Sequence, residues 1–169
     1  MKDFHLEIRS FSPQDEKSIK TLISKIQREE FNIPISVEDQ PDLSNVTKFY
    51  QKNNGNFWVA TLNNDIIGTI GLLDIGNQQL VLRKMFVKSE YRGKLLGVAQ
   101  KLLNTVLHWS KEKMTREIFL GTTSQFVSAH KFYEKNGFEL INKKYLPYSF
   151  PIMKVDTRFY KKFIIGNKD

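Results

Sequence analysis

The residues with the clearest chemical potential are Arg92-Gly93-Lys94-Leu95-Leu96-Gly97, which follow an apolar run ending at Val87. That run, Leu80 to Val87, reads as a strand, and it leads through Lys88-Ser89-Glu90-Tyr91 into a turn that opens a helix. The first amides of a helix have no acceptor within it, and the helix dipole adds positive potential there. Such a terminus binds phosphate, above all where glycine lets a ligand approach the backbone. Arg92 and Lys94 add cationic groups at the same place. The turn is not a P-loop, since no Gly-Lys-Ser/Thr ending is present, and it lacks the three glycines of a dinucleotide fingerprint. Taken alone, a glycine-bearing turn between strand and helix is most often only a turn.

A second set of residues is acidic. Glu29, Glu30, Glu38, Asp39 and Asp42 stand close together with no lysine or arginine among them, in a chain whose formal charge is +8. Such a stretch can steer a cation or accept its proton, although surface charge and helix capping are the plainer roles for each residue. Three scattered histidines (His5, His108 and His130) show no metal-ligand spacing, and the chain has no cysteine. Disulfides, thiolate metal sites and a cysteine nucleophile are therefore excluded, and no metal is expected. The pI near 9.6 raises the question of nucleic acid. No nucleic-acid motif accompanies it, and a solvated basic surface or a pocket for a polyanionic cofactor accounts for the charge.

Elements that position these groups follow from the patterning. Phe4 to Arg9 alternates as a strand, Ser12-Pro13 marks a helix start, and Ile19, Leu22, Ile23 and Ile26 follow at helical spacing. A second helix is expected over Leu43 to Lys52, with Asp42 as N-cap. Strands Phe57 to Leu62, Ile66 to Ile75 and Leu80 to Val87 form a meander, turning at Asn63-Asn64-Asp65 and Gly76-Asn77. Then come a helix striped by Ala99, Leu102, Leu103 and Val106, a strand over Glu117 to Gly121, and a helix that Gly137 caps. Phe138 to Tyr145 and Met153 to Ile165 supply two last strands, and Ser149 to Tyr160 either closes a pocket or simply finishes the sheet. The order predicts a mixed sheet covered by helices, in one domain spanning the 169 residues. The charged start of the chain does not read as a signal peptide and no apolar run spans a bilayer, so a cytoplasmic protein is expected.

Arg92-Gly93-Lys94-Leu95-Leu96-Gly97 resembles the pyrophosphate-binding motif of the GNAT superfamily of N-acetyltransferases, Arg/Gln-x-x-Gly-x-Gly/Ala. Downstream, Ala129-His130-Lys131-Phe132-Tyr133-Glu134-Lys135-Asn136-Gly137-Phe138 resembles the second signature, Ala-x-x-Phe/Leu-Tyr-x-x-x-Gly-Phe. The separation of the two motifs and the order of elements agree over nearly the whole chain. Two positions depart: Leu95 stands where the family usually has glycine, and Phe126 where many members have an asparagine that contacts the pantetheine arm.

The resemblance implies an α/β (α+β) fold with a mixed, mostly antiparallel sheet of about six to seven strands flanked by about four helices. It implies acetyl-CoA as co-substrate, its pantetheine arm bonded to the backbone of Met85, Phe86 and Val87 like an added strand. The pyrophosphate would lie on the amides of Arg92, Gly93, Lys94, Leu95, Leu96, Gly97 and Val98. Lys131 and Lys135 either reach the cofactor's 3'-phosphate or form a solvated helix face. Acetyl transfer needs a neutral amine, a stabilised oxyanion and a proton for the departing thiolate. By resemblance Tyr133 is the general acid and the Val87 amide meets the oxyanion, although residue type alone would give Tyr133 a packing role. Glu30 is the candidate base, and Glu29, Glu38 and Asp39 would form the acceptor wall. The expected reaction is direct attack by a primary, cationic amine in a ternary complex, with no nucleic acid or membrane involved and a homodimer as the family habit. A non-catalytic acyl-CoA-binding or regulatory protein is the alternative on the same fold.

Overall fold

The structure is a computed structural model and describes residues 4–164. β1 (Leu6–Ser10) leads to a 3-10 turn at Pro13–Asp15 and then α1 (Glu16–Ser24). The Asp15 carboxylate accepts from the Ser12 amide at 2.8 Å and is clamped by both terminal nitrogens of Arg9, at 2.8 and 2.9 Å. The helix runs on past Ser24: Lys25–Glu30 continue it with wider π-type bonds, and the Phe31 amide donates to Ile26 O at 3.1 Å.

The next segment departs from expectation. Helical structure expected over Leu43 to Lys52 is confined to α2 (Val46–Phe49), preceded by a 3-10 turn at Pro41–Ser44. Asp42 is not a cap. Its carboxylate is buried and accepts from the Tyr50 hydroxyl at 2.6 Å. A capping carboxylate would face water; a buried one must find internal donors, and here it does.

β2 (Asn56–Leu62), β3 (Asp65–Gly76) and β4 (Gln79–Val87) form the meander. Asn63 and Asn64 in the first connection, and Asn77 and Gln78 in the second, all hold positive φ. That is the geometry of two-residue turns whose twist matches the strands they join. Gly76 pairs with Gln79, so the second turn falls one residue later than Gly76-Asn77.

α3 (Val98–Glu112) then crosses to β5 (Glu117–Thr122), which is followed by α4 (Val127–Lys135), β6 (Glu139–Ile141) and β7 (Arg158–Phe163). The sheet has seven strands in the order β1-β2-β3-β4-β5-β7-β6. Among the described residues only the β4–β5 pair is parallel. The expected mixed, mostly antiparallel sheet flanked by four helices is what the chain forms. Ile165, the end of the expected last strand, lies outside the described residues, as do Met1, Lys2 and Asp3.

Both faces of the sheet are covered. Leu102, Leu103 and Val106 of α3 pack with Leu72, Leu82 and Tyr133 on one face. On the other, Ile19, Ile23 and Val46 of α1 and α2 pack with Phe57, Val59 and Val81. β2 is buried along its whole length, as a strand between two covered faces must be. α4 ends in a Schellman motif: Phe138 N donates to Tyr133 O at 3.0 Å and Gly137 N to Glu134 O at 3.1 Å. Gly137 supplies the left-handed φ of 87° that this closure needs.

Leu102 has no exposed surface and faces the sheet from α3. Leu102→Ala should lower the unfolding free energy by about 2–5 kcal/mol. Urea unfolding followed by circular dichroism measures this. A loss well below that range would mean that α3 settles into the space and is not held by the sheet.

Candidate functional site

β4 and β5 pair only from Gln79–Glu117 to Val81–Phe119. Beyond that the strands part, and a cleft of about 410 Å³ opens between them. β4 itself is irregular at the same level. Thr69 pairs with Phe86 and Gly71 with Arg83, so Lys84 and Met85 together oppose Ile70. Lys84 occupies this bulge at a φ of 55°, a conformation lysine rarely adopts and which costs about 1–3 kcal/mol. The bulge re-aims the strand. Met85 packs towards the α3 face and Phe86 towards the α1 face. Residues of both clusters, including Tyr133 and Phe150, line the cleft. On its β5 side the backbone of Met85, Phe86 and Val87 has no strand neighbour.

At one end of the cleft lies the glycine turn. The turn runs on past Lys94, after which the helix was expected, and α3 begins only at Val98. Gly93 and Gly97 hold φ of 104° and 63°, and these two left-handed residues keep the chain out of a right-handed helix until Gly97 is passed. Leu95, where glycine was expected, needs no positive φ, and its side chain is 98% exposed. Leucine there leaves the backbone geometry intact. Among the described residues, the amides of Gly93, Lys94 and Leu95 have no hydrogen-bond acceptor. Unpaired amides before the N-terminus of a 15-residue helix, with Lys94 beside them, fit a polyanion such as the pyrophosphate of a coenzyme.

Arg92 is engaged differently. Its Nε donates to Val87 O at 2.8 Å, its guanidinium grips both carboxylate oxygens of Glu30 (Nη2 to Oε1 at 2.8 Å), and it lies 5.7 Å from the Phe31 ring centroid. This fork ties the glycine turn to the π-helical end of α1.

Tyr133 lines the cleft from α4, and its hydroxyl meets the Met85 sulfur at 3.7 Å, a weak acceptor. Burial first, and Tyr160 second, raise its pKa, so the phenol keeps its proton. Phe126, at the start of α4, stacks edge-on with Phe31 at 4.9 Å and Phe86 at 6.1 Å, closing one wall with aromatic surface. Lys131 and Lys135 sit on the exposed face of α4.

The acidic stretch is not brought to the cleft. Glu38 and Asp39 are exposed, and the Asp39 carboxylate accepts from the Ser36 amide at 3.1 Å. Glu29 and Glu30 border a separate surface groove with Lys25 and Lys88, and Glu30 reaches the cleft only through Arg92.

Besides Arg92 and Tyr133, the cleft's titratable groups are Arg83, Lys84 and Asp156. Lys84 Nζ donates to Gln40 Oε1 at 2.7 Å and stands 3.7 Å from Asp42, while Gln40 and Gln27 exchange side-chain bonds at 2.9 and 3.0 Å. Burial pushes the Lys84 pKa down to about 8, with Asp42 opposing. Asp156, in the segment before β7, accepts from the Met153 amide at 2.8 Å, and burial raises its carboxyl pKa. Gly121 makes room for it: a Cβ there would stand 2.7 Å from an Asp156 oxygen. The segment before β7 thus lines the cleft, while Arg158–Phe163 joins the sheet. Asp156 had no signal in the sequence. Arg83-Lys84 had one, two adjacent cations inside an otherwise apolar strand.

Similarities to known proteins agree with this geometry. The family model described as an acetyltransferase (GNAT) domain matches residues 53–140. A solved acetyltransferase of the GNAT family from Staphylococcus aureus Mu50 is 40% identical, with a TM-score of 0.92 over 95% of this chain and 100% of that one. A PaiA N-acetyltransferase from Thermoplasma acidophilum, solved in complex with coenzyme A, shares the fold at a TM-score of 0.70 and 21% identity, over 94% of this chain and 99% of that one. N-acetylaspartate synthetase of Xenopus tropicalis is 38% identical over 102 residues, which are 58% of this chain and 36% of that protein. The chain thus spans only about a third of that relative's length. Among the described residues, no helix is long and apolar enough to cross a membrane.

Lys84 gives a pH signature with a defined sign. Its folded pKa of about 8 lies below the usual lysine value, so between the two the unfolded chain binds the extra proton. Its contribution to stability is therefore lost as pH falls through 8 and is fully present above the unfolded pKa. The stability of wild type relative to Lys84→Gln should rise from pH 8 to 10, by at most about 1.4 kcal/mol per pH unit. Parallel urea titrations measure this, and a flat difference would show that Lys84 titrates at its ordinary value.

Proposed function

Because the chain belongs to the GNAT acetyltransferase family, we propose that it transfers an acetyl group from acetyl-CoA to a primary amine, with both substrates bound in the cleft at once. The observation that carries this reading is the parting of β4 and β5, with unpaired turn amides at one end and a buried titratable cluster at the other. Acetyl-CoA supplies an activated thioester carbonyl. The free backbone edge of Met85–Val87 accommodates an extended amide-bearing arm, and the amides from Gly93 onward, with Lys94, receive the pyrophosphate.

Tyr133 holds its proton at any working pH because burial raises its pKa, and its hydroxyl is committed only to a weak sulfur acceptor. It donates to the departing sulfur. The acceptor's ammonium must lose a proton before attack. Asp156 receives it, being a half-buried cleft carboxylate of raised basicity. Glu30 has both oxygens on Arg92 and serves by positioning the turn.

Titration calorimetry with coenzyme A should show binding that Lys94→Ala weakens about tenfold, the loss of one charge-assisted contact. Tyr133→Phe should keep that affinity and lose about 10²-fold or more in kcat. Coenzyme A binding with no turnover across a broad amine panel would replace the enzyme by a non-catalytic acyl-CoA-binding protein. A fully active Tyr133→Phe variant would move the proton donor elsewhere.

A further inference from the structure

Arg83 is a guanidinium in the cleft wall without a carboxylate. It lies over the Phe49 and Tyr50 rings at 5.5 and 6.0 Å, and its recorded polar partner is the Met153 sulfur, at 3.0 Å from Nη2. Among the described residues no acid stands within 4.0 Å of it. Its neighbour Lys84 is committed to Gln40 and Asp42, and Asp42 to Tyr50, so that subset is internally balanced. What remains in the cleft is one unmatched cation, Arg83, and one carboxylate, Asp156, which meet the same residue: Arg83 the sulfur of Met153 at 3.0 Å, and Asp156 its amide at 2.8 Å. A buried-side guanidinium with a thioether for company leaves most of its donors unspent, and its planar fork matches a carboxylate.

We propose that the acceptor is an α-amino acid or a closely similar zwitterion, its carboxylate received by Arg83 and its ammonium by Asp156. This rests on the acetyl-transfer reading and assigns the substrate class of that site. The atoms balance. One ammonium proton passes to Asp156, the neutral amine nitrogen forms the C–N bond as the C–S bond breaks, the departing thiolate takes the Tyr133 proton, and the second nitrogen proton, lost as the amide forms, returns to the Tyr133 oxygen; the proton on Asp156 leaves to solvent. The acidic stretch from Glu29 to Asp39 takes no part in selecting the acceptor, since Glu29, Glu38 and Asp39 lie outside the cleft.

The test compares each of the common L-amino acids with its carboxamide and its decarboxylated amine, by thiol release and, separately, by calorimetric binding to protein saturated with coenzyme A. At least one amino acid should be preferred over its carboxamide about thirtyfold, the range of a charge-assisted contact. Arg83→Gln should erase that preference through KM rather than kcat, and Arg83→Lys should restore part of it. Coenzyme A affinity serves as the check that both variants fold. Amines or carboxamides used as well as the amino acids, or a preference unchanged in Arg83→Gln, would overturn the inference while leaving acetyl transfer intact. Arg83-dependent amino-acid binding without any turnover would uphold it and remove the acetyl-transfer reading instead.

Discussion

The site depends on one interruption: β4 and β5 hydrogen-bond for three residue pairs and then cannot continue. A parallel pair carried to the ends of both strands would bury the backbone of Met85–Val87 in a ladder and leave no cleft. Two local features shape the opening. The bulge at Lys84 adds a residue to β4 and turns it away, and on β5 the missing side chain of Gly121 leaves the space over the strand that the Asp156 carboxylate fills. Both features carry a cost, a left-handed lysine in one case and a half-buried acid in the other. Opening the cleft offsets neither, so the well-packed layers on both faces must sustain them.

The lysine in the bulge also organises the wall opposite the coenzyme side. A strained backbone aims its side chain at Gln40, Asp42 and, through Asp42, Tyr50. The chain from Asn32 to Ser44 has little regular structure of its own, and this polar cluster joins buried Leu43 in holding it to the sheet. Buried ion pairs contribute little net stability, because desolvation consumes most of their attraction. Their value here is geometric. Lys84 satisfies Asp42, and among the described residues Arg83, one residue earlier, has no acid within 4.0 Å.

The sequence showed the elements better than it showed the chemistry, for a physical reason. The apolar runs of β2 to β4, set off by Asn- and Gly-bearing turns, report burial on both faces, and the stripe of Leu102, Leu103 and Val106 reports a helix buried on one side, where burial repeats with a period. Gly137 was legible because a left-handed cap has few chemical solutions. Asp42 was misread because capping and burial use the same residue type, and only the fold decides which partner is nearer. The acidic stretch misled in the same way: charge adjacent in sequence is not charge adjacent in space. Asp156 reaches the cleft because β7 inserts between β5 and β6, a topological fact with no local signature.

The two departures from the family pattern have separate structural explanations. At Leu95 nothing in the backbone calls for glycine, because Gly93 and Gly97 already take the left-handed positions on either side. At Phe126 the side chain joins an aromatic group with Phe31 and Phe86, and Arg92 covers Phe31 while holding Glu30. An asparagine there would offer a hydrogen bond to a bound arm but would remove the centre of that cluster. Phenylalanine gives the opposite balance: the cleft wall is braced by ring-on-ring packing before any ligand arrives, and the backbone of Met85–Val87 beside it keeps a free edge.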